Sequence, residues 1–396
     1  MANDAIRAMN SAMVAALAGG WVADAASLGL HWLYDSGRIH DVGGEYPEFL
    51  PPKADYFEGG FGYFAHSGKK VGDISHYGAA TGVLTDSLLA NQGHLNIRDY
   101  QRRFRAFFGP GGTWKGYIDN PTRVTLHNLN SIEQSAIERA QASTAASLTD
   151  QQKRILVQKV LPYTSRLSGD QLAGPVRKAI NLTYHETDIQ EAGVHLAQTI
   201  DQHLLPESGA NDMQLPAVSK LPPLVACYLG SDDLLTTTEA AVRVTNHNDE
   251  AVAWAKCAAR LLESLYLGKS MSESLDAATA EAPETSSLNK ARAGEQLDPV
   301  GAAESFGRTC YLKEAMPVIF HILNHATSYA EAVRANIQCG GDSCGRAWII
   351  GPAMAAIHGV GGEYGIPLSW LARVTDAAAI CRDIELLVGM RAEFNQ

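Results

Sequence analysis

Apolar positions in this chain recur mainly at steps of three and four. Val374, Ala377, Cys381, Ile384 and Val388 share one helical face near the C-terminal end. Ala255, Ala258, Leu262 and Leu265 repeat the spacing, and so do Ala347, Ile350, Met354 and Ile357. Residues 79–92 read as a helix that stops at Gly93, a residue suited to the left-handed turn after a helix. Strand-like alternation is almost absent. The pattern predicts an all-α protein, one compact domain of many helices.

The helical runs are separated by stretches rich in glycine, proline and aromatic residues. Residues 40–72, 107–127, 206–223 and 284–310 read as long loops. Long loops in a compact domain are usually functional or disordered, and the aromatics Phe61, Tyr63, Trp114 and Tyr117 in the first two argue for order. Residues 128–205 are polar and helical in spacing, and read as an insertion or lateral helical layer.

The bulk numbers narrow the function. With 396 residues and 46% hydrophobic content the chain can bury a large core. A net charge of −11 argues against nucleic acid or an anionic membrane as the main partner. The 6 cysteines are scattered without a CxxC pair, which fits a reducing cytoplasm. The N-terminus carries Asp4 and Arg7 and does not read as a signal peptide. No apolar run is expected to span a bilayer.

Candidate chemistry gathers in five segments. The most telling is Cys339-Gly340-Gly341-Asp342-Ser343-Cys344-Gly345-Arg346, where a carboxylate stands between a glycine pair and an apolar helical run. Asp342 there could bind a metal, orient a hydroxyl or act as a base, beside backbone N–H groups that suit anions. Cys344, near a helix start and Arg346, could be a nucleophile, although a packing role is the commoner one. In residues 19–32 Asp24 sits in apolar company and must be paired, and His31 lies seven residues on. In residues 72–78 Asp73 or Ser75 serves as a helix cap, which leaves His76 and Tyr77 unexplained. Asn211, Asp212 and Gln214 head a proline-stiffened loop, a turn or a ligand wall. In residues 245–249 Asn248 or Asp249 caps a helix and His247 is left over.

In order and spacing, these segments resemble the ADP-ribosylglycohydrolase family, in the branch that contains crystallin J and selenoprotein J. The stretches GGWVADAASLGLHWLYD, GDISHYG, GYIDNPTRVTL, NDMQLPAVSKLPPL, TNHNDEAVAWA and GGDSCGRAWIIGPAMAAIHG carry the likeness. It covers nearly the whole chain apart from residues 128–205. It implies a single orthogonal helical bundle with a cleft on one side. Metal-dependent members hold two magnesium ions between an early Thr-Asp-Asp run and a late Asp-x-Asp-Thr/Ser run. Here those places fall on Ser75-His76-Tyr77 and Asp342-Ser343-Cys344-Gly345. Magnesium needs several oxygen ligands in octahedral array. The expectation is therefore a lost dimetal site and no cofactor. A thiolate and an imidazole would suit zinc, but four converging ligands are not expected.

The resemblance implies a hydrolase acting at the N-ribosyl bond of an ADP-ribosyl or nucleotide-derived small molecule. Asp342, His76 and Asp24 are the expected catalytic residues. Ser75, Tyr77, His31, Trp32, Trp114, Tyr117, Asn211, Asp212, Gln214, His247, Ser343, Cys344 and Arg346 are expected to bind substrate, with Arg346 meeting phosphate and Trp32, Trp114 and Tyr117 stacking on a base. Lys220 lies roughly where many members have an arginine. Two alternatives stand beside this: a repurposed metal-independent hydrolase or lyase on a small metabolite, and a non-catalytic, crystallin-like binding protein.

Overall fold

A computed structural model describes residues 2–143, 148–204, 207–294 and 297–394. Every regular element among the described residues is helical, and the only bridge pairs are isolated, such as Gln214 with Tyr311. The all-helical architecture read from the sequence is the one observed.

The core is organised on two helices from opposite ends of the chain, Ala2–Ser27 and Ser343–His358. Glycines let them touch backbone to backbone. A Cβ on Gly19 would sit 2.6 Å from both the Ala355 Cβ and the Gly351 carbonyl oxygen. Tyr329 donates its hydroxyl to that same Gly19 carbonyl at 2.6 Å. The Ser343 helix is buried on every side from Ser343 to Ala355, which explains the apolar run from Ala347 to Ala355. Residues Ile6–Leu30 are in fact long and apolar enough to cross a membrane, contrary to expectation, yet 94% of the segment's most apolar window is buried in the protein. The helices His76–Ala90 and Asp249–Tyr266 pack around this central pair.

Residues 136–204 form a second, smaller core from Leu156, Val160, Val176, Ile180, Leu196 and Ile200. Four helices build it, Asn120–Ser143, Asp150–Thr164, Ala173–Asn181 and Thr187–His203.

All four of the expected loops are partly helical. Within 284–310 lie Ser286–Ala293 and Pro299–Phe306, and within 206–223 lies Pro216–Ser219 and the start of Leu221–Cys227. Proline misled the reading there. Pro216, Pro222 and Pro299 stand in first turns, where a missing N–H costs nothing. The loop 107–127 begins in the last turn of Ile97–Phe108 and is helical again from Asn120, and 40–72 takes in the end of Ser36–Gly43 and the short turn Ala54–Phe57.

Candidate functional site

Asp342 caps the central helix, accepting the Gly345 N–H at 3.0 Å. Two further donors reach the same carboxylate. His31 Nε2 lies 3.0 Å from Oδ1 and the Tyr77 hydroxyl 2.5 Å from Oδ2. Burial alone would raise this carboxyl, but the His31 and Tyr77 hydrogen bonds outweigh it and hold it at about 2. The glycine pair makes the contact possible. Gly340 and Gly341 both have left-handed backbone, with φ of 71° and 64°. Gly341 donates to the Leu33 carbonyl at 2.7 Å and accepts from the Trp32 N–H at 2.8 Å. A side chain at Gly341 would collide with the Arg308 carbonyl. The segment that follows the first helix is thus pinned to the start of the last central one.

His31 does not continue the first helix. That helix ends at Ser27, a single 3-10 turn follows, and His31 has extended backbone. Its other ring nitrogen, Nδ1, lies 2.6 Å from His66 Nε2. The next residue, Trp32, has φ of 66°, a region that bulky side chains avoid at a cost of ~1–3 kcal/mol. The strained backbone sets the indole against His31, Tyr117 and His76, at ring separations of 4.5, 4.9 and 5.7 Å.

Asp24 is paired, as its apolar setting demands. Its carboxylate accepts the Ser75 N–H at 2.9 Å and the Ser75 hydroxyl at 2.6 Å. Burial raises its carboxyl to about 6 against those bonds. Ser75 also caps the next helix through the Tyr77 N–H. Gly78 allows the approach, because a Cβ there would lie 2.6 Å from Asp24 Oδ2. Asp24 therefore anchors the helix start that carries His76 and Tyr77.

His76 is 4% exposed. Its Nε2 approaches Asp119 Oδ2 at 3.4 Å, too long for a well-formed hydrogen bond, and its Nδ1 has no partner among the described residues. Buried polar atoms are rarely left this way without a ligand or water. Asp119 also accepts the Thr122 N–H at 2.8 Å. Burial works against its charge, but His76 and Thr122 hold the carboxyl below its usual range. Outside His76 lies an aromatic rim, in which Tyr117 packs 5.2 Å from its ring and the exposed Tyr63 packs 6.0 Å from both Tyr117 and Trp32.

A third group lies within electrostatic reach. Asp212 accepts from Gln214 N at 2.9 Å and from Asn246 Nδ2 at 3.1 Å. Burial raises its carboxyl to about 6, with the Asp119 charge adding to the effect. Lys220 is fully buried, donates to Thr245 Oγ1 and lies 3.3 Å from Asn246 Oδ1. Burial lowers its amine to about 7, against the pull of Asp119 and Asp212.

Several expected residues fall elsewhere. His247 and Asn211 are exposed, and Asn211 accepts from Asn248, the cap of the Asp249 helix. Trp114 donates to the Tyr117 carbonyl at 3.0 Å and stacks under Lys69, so it supports the rim rather than lining it. Arg346 is 0% exposed, with Nε and Nη2 bonded to Asn336 and the Gly340 carbonyl, and Nη1 buried without a partner among the described residues. It braces the glycine turn from inside the core rather than facing a cleft. Gln214 contributes its backbone, pairing with Tyr311. Cys344 is fully buried, and burial with the Asp24 and Asp342 charges pushes its thiol well up, which removes the free nucleophile reading. Ser343 is buried with its hydroxyl unpartnered among the described residues. Asp342 has most of its acceptor capacity filled by three donors, so it positions His31 and Tyr77 rather than holding a water.

The sequence reading passed over Asp119, His66 and Asn246. Asp119 stands just before Asn120-Pro121 and reads as an ordinary helix-start residue, and His66 is a lone histidine in a glycine- and lysine-rich loop.

Fold and site define an all-helical protein with a carboxylate- and imidazole-lined centre at its helix ends. The chain belongs to the ADP-ribosylglycohydrolase family, which its sequence matches over residues 6–394. Crystallin J1A of Tripedalia cystophora is 27% identical over 385 residues, covering 95% of this chain and 96% of that protein. Crystallin J1B of the same animal is 26% identical over 368 residues, covering 91% and 90%. A solved structure described as an ADP-ribosylglycohydrolase-related protein complex shares the fold, with a TM-score of 0.56 and 16% identity over 97% of this chain and 99% of that one.

The paired magnesium of the metal-dependent relatives does not fit these residues. Donors, not open lone pairs, surround Asp342, and burial with the Asp342 charge keeps the Tyr77 phenol protonated. The other side chains at those places are the His76 imidazole, the buried Cys344 thiol, the Ser75 hydroxyl that is spent on Asp24 and Tyr77 N, and the single Ser343 hydroxyl, too few oxygen ligands for a hard cation.

Proposed function

We propose that this chain cleaves the N-ribosyl bond of an ADP-ribosyl or nucleotide-derived small molecule without a magnesium pair. Cleavage at an anomeric carbon passes through an oxocarbenium-like transition state and needs an activated water and help for the leaving group. The observation that carries the reading is a split between two neighbouring carboxyl groups. Asp119 is held ionised beside His76, while Asp212 is raised to about 6. Environments that push two titratable groups apart mark acid and base roles.

His76, oriented by Asp119, takes the proton of the attacking water at its unpartnered Nδ1. Asp212 in its protonated form gives a proton to the leaving group. Trp32, Tyr117 and Tyr63 offer faces for a base or nicotinamide ring. Asp24 and Asp342 hold the scaffold, through Ser75 and through His31 with Tyr77. The test is turnover of ADP-ribosyl and free nucleotide substrates by His76→Ala and Asp212→Asn. Full activity in both variants ends this assignment.

A non-catalytic binding role is favoured by one observation, that the two curated relatives bear crystallin names. Thermal shift with ADP-ribose, NAD and AMP separates the two, since a ligand that binds only the native state raises the melting temperature. Binding with no product from any substrate supports the second reading.

A further inference from the structure

We propose that His31, His66 and Cys344 form a site for one divalent ion of the zinc class, with Asp342 holding His31 from behind. The three residues come from distant points of the chain, the turn after the first helix, the 58–75 loop and the first turn of the central helix. Their ligand atoms all lie within 4.8 Å of one another, and all three side chains are buried.

The tautomer of His31 is the independent support. Its Nε2 faces the Asp342 carboxylate, which can only accept, so that nitrogen carries the proton. Nδ1 is then an acceptor, and without an ion it accepts the N–H of His66 Nε2, 2.6 Å away. Binding moves the His66 proton to its Nδ1, so that both facing nitrogens offer lone pairs to the ion. A carboxylate behind an imidazole whose other nitrogen faces the ion is the usual outer-shell arrangement of a metal histidine.

The donor set selects the ion. Two imidazoles and a thiolate suit zinc and reject magnesium and calcium. Three protein donors leave a fourth position for water or a substrate oxygen. Zinc–nitrogen bonds of ~2.0–2.1 Å in a tetrahedron set the two nitrogens ~3.3 Å apart. Binding therefore parts the His31 and His66 rings by ~0.7 Å from their present contact, a shift within reach of the loop that carries His66. This site stands whether or not the chain is a hydrolase.

The experiment is cobalt(II) titration of the chelator-treated full-length protein, read by absorbance, with X-ray absorption at the zinc edge of the zinc-loaded protein. The expected result is one equivalent bound with a thiolate-to-cobalt charge-transfer band, and a zinc shell of one sulfur and two imidazoles. Cys344→Ser removes the band, His66→Ala removes binding, and Asp342→Asn weakens it ~10–100-fold while keeping the band. No thiolate band in the wild-type protein overturns the proposal, and so does a band that survives in folded Cys344→Ser. If the variants do not fold, the zinc-edge spectrum of the wild-type protein decides alone, and an all-oxygen or sulfur-free shell overturns it.

Discussion

The Nε2 of His31 and the Oδ1 of Asp342 lie 3.0 Å apart although 311 residues separate them in the chain. The Tyr77 hydroxyl closes on the other oxygen of the same carboxylate. Three segments, the turn after the first helix, the start of the His76 helix and the start of the central helix, are thereby fixed to one buried charge. Removing that charge should loosen all three. Asp342→Ala leaves the His31, Tyr77 and Gly345 donors unpaired, and removing one partner of a buried charged cluster costs ~3–5 kcal/mol. A loss of that size is expected in the unfolding free energy obtained from urea titration, with a smaller loss for Asp342→Asn.

Gly341→Ala should be nearly as damaging from backbone terms alone. The residue has φ of 64°, and a Cβ there meets the Arg308 carbonyl. Strain of ~1–3 kcal/mol combines with a steric shift of similar size. A fall of more than about 2 kcal/mol in stability is expected by thermal or urea unfolding. Gly359→Ala, also at positive φ but with open space around it, should cost less.

Lys220 gives a pH signature. Its amine has a folded value of about 7, below the unfolded lysine value near ~10.4. Between those two values the unfolded chain binds more protons than the native one, so this group makes stability rise with pH. Its full cost is present below about 7. Lys220→Met should raise the melting temperature at neutral pH and flatten the slope of stability between pH 7 and 10. A steep slope retained in the variant would count against the buried, depressed amine.

Asp212 gives the complementary signature in activity. A general acid works only while protonated, and this carboxyl is raised to about 6. Turnover should therefore fall as pH rises through about 6, and Asp212→Asn should remove that limb together with most of the rate. General acid catalysis is worth ~10²–10⁴-fold, which sets the size of the loss. A pH–rate profile of kcat for both proteins is the check.

Much of the helical framework was legible in the sequence, because amphipathic spacing and caps are local. Ser75 and Asn248 cap the helices expected of them. The need for a partner to Asp24 followed from its apolar neighbours, and Ser75 supplies it. The importance of the Gly340-Gly341-Asp342 turn was also readable, but not its role. Nothing local shows that His31 and Tyr77 fill the carboxylate. Asp119 was hidden by its innocent position before a helix, since its bond to Thr122 N is what any capping aspartate makes. His66 belongs to no motif, and only the fold brings it to His31. Arg346, His247 and Asn211 were misplaced for the opposite reason. Polar residues near a motif look functional until burial and partners are known, and these three prove to be a brace and two surface groups.

The most direct test of the proposed ribosyl site without a magnesium pair is a crystal structure of the protein with ADP-ribose and excess magnesium. The expected density places the ribose between His76 and Asp212 under the Trp32–Tyr117 rim, with the Asp342 oxygens still bound to His31 and Tyr77. Two octahedral ions coordinated by Asp342, with His31 and Tyr77 displaced, would contradict it.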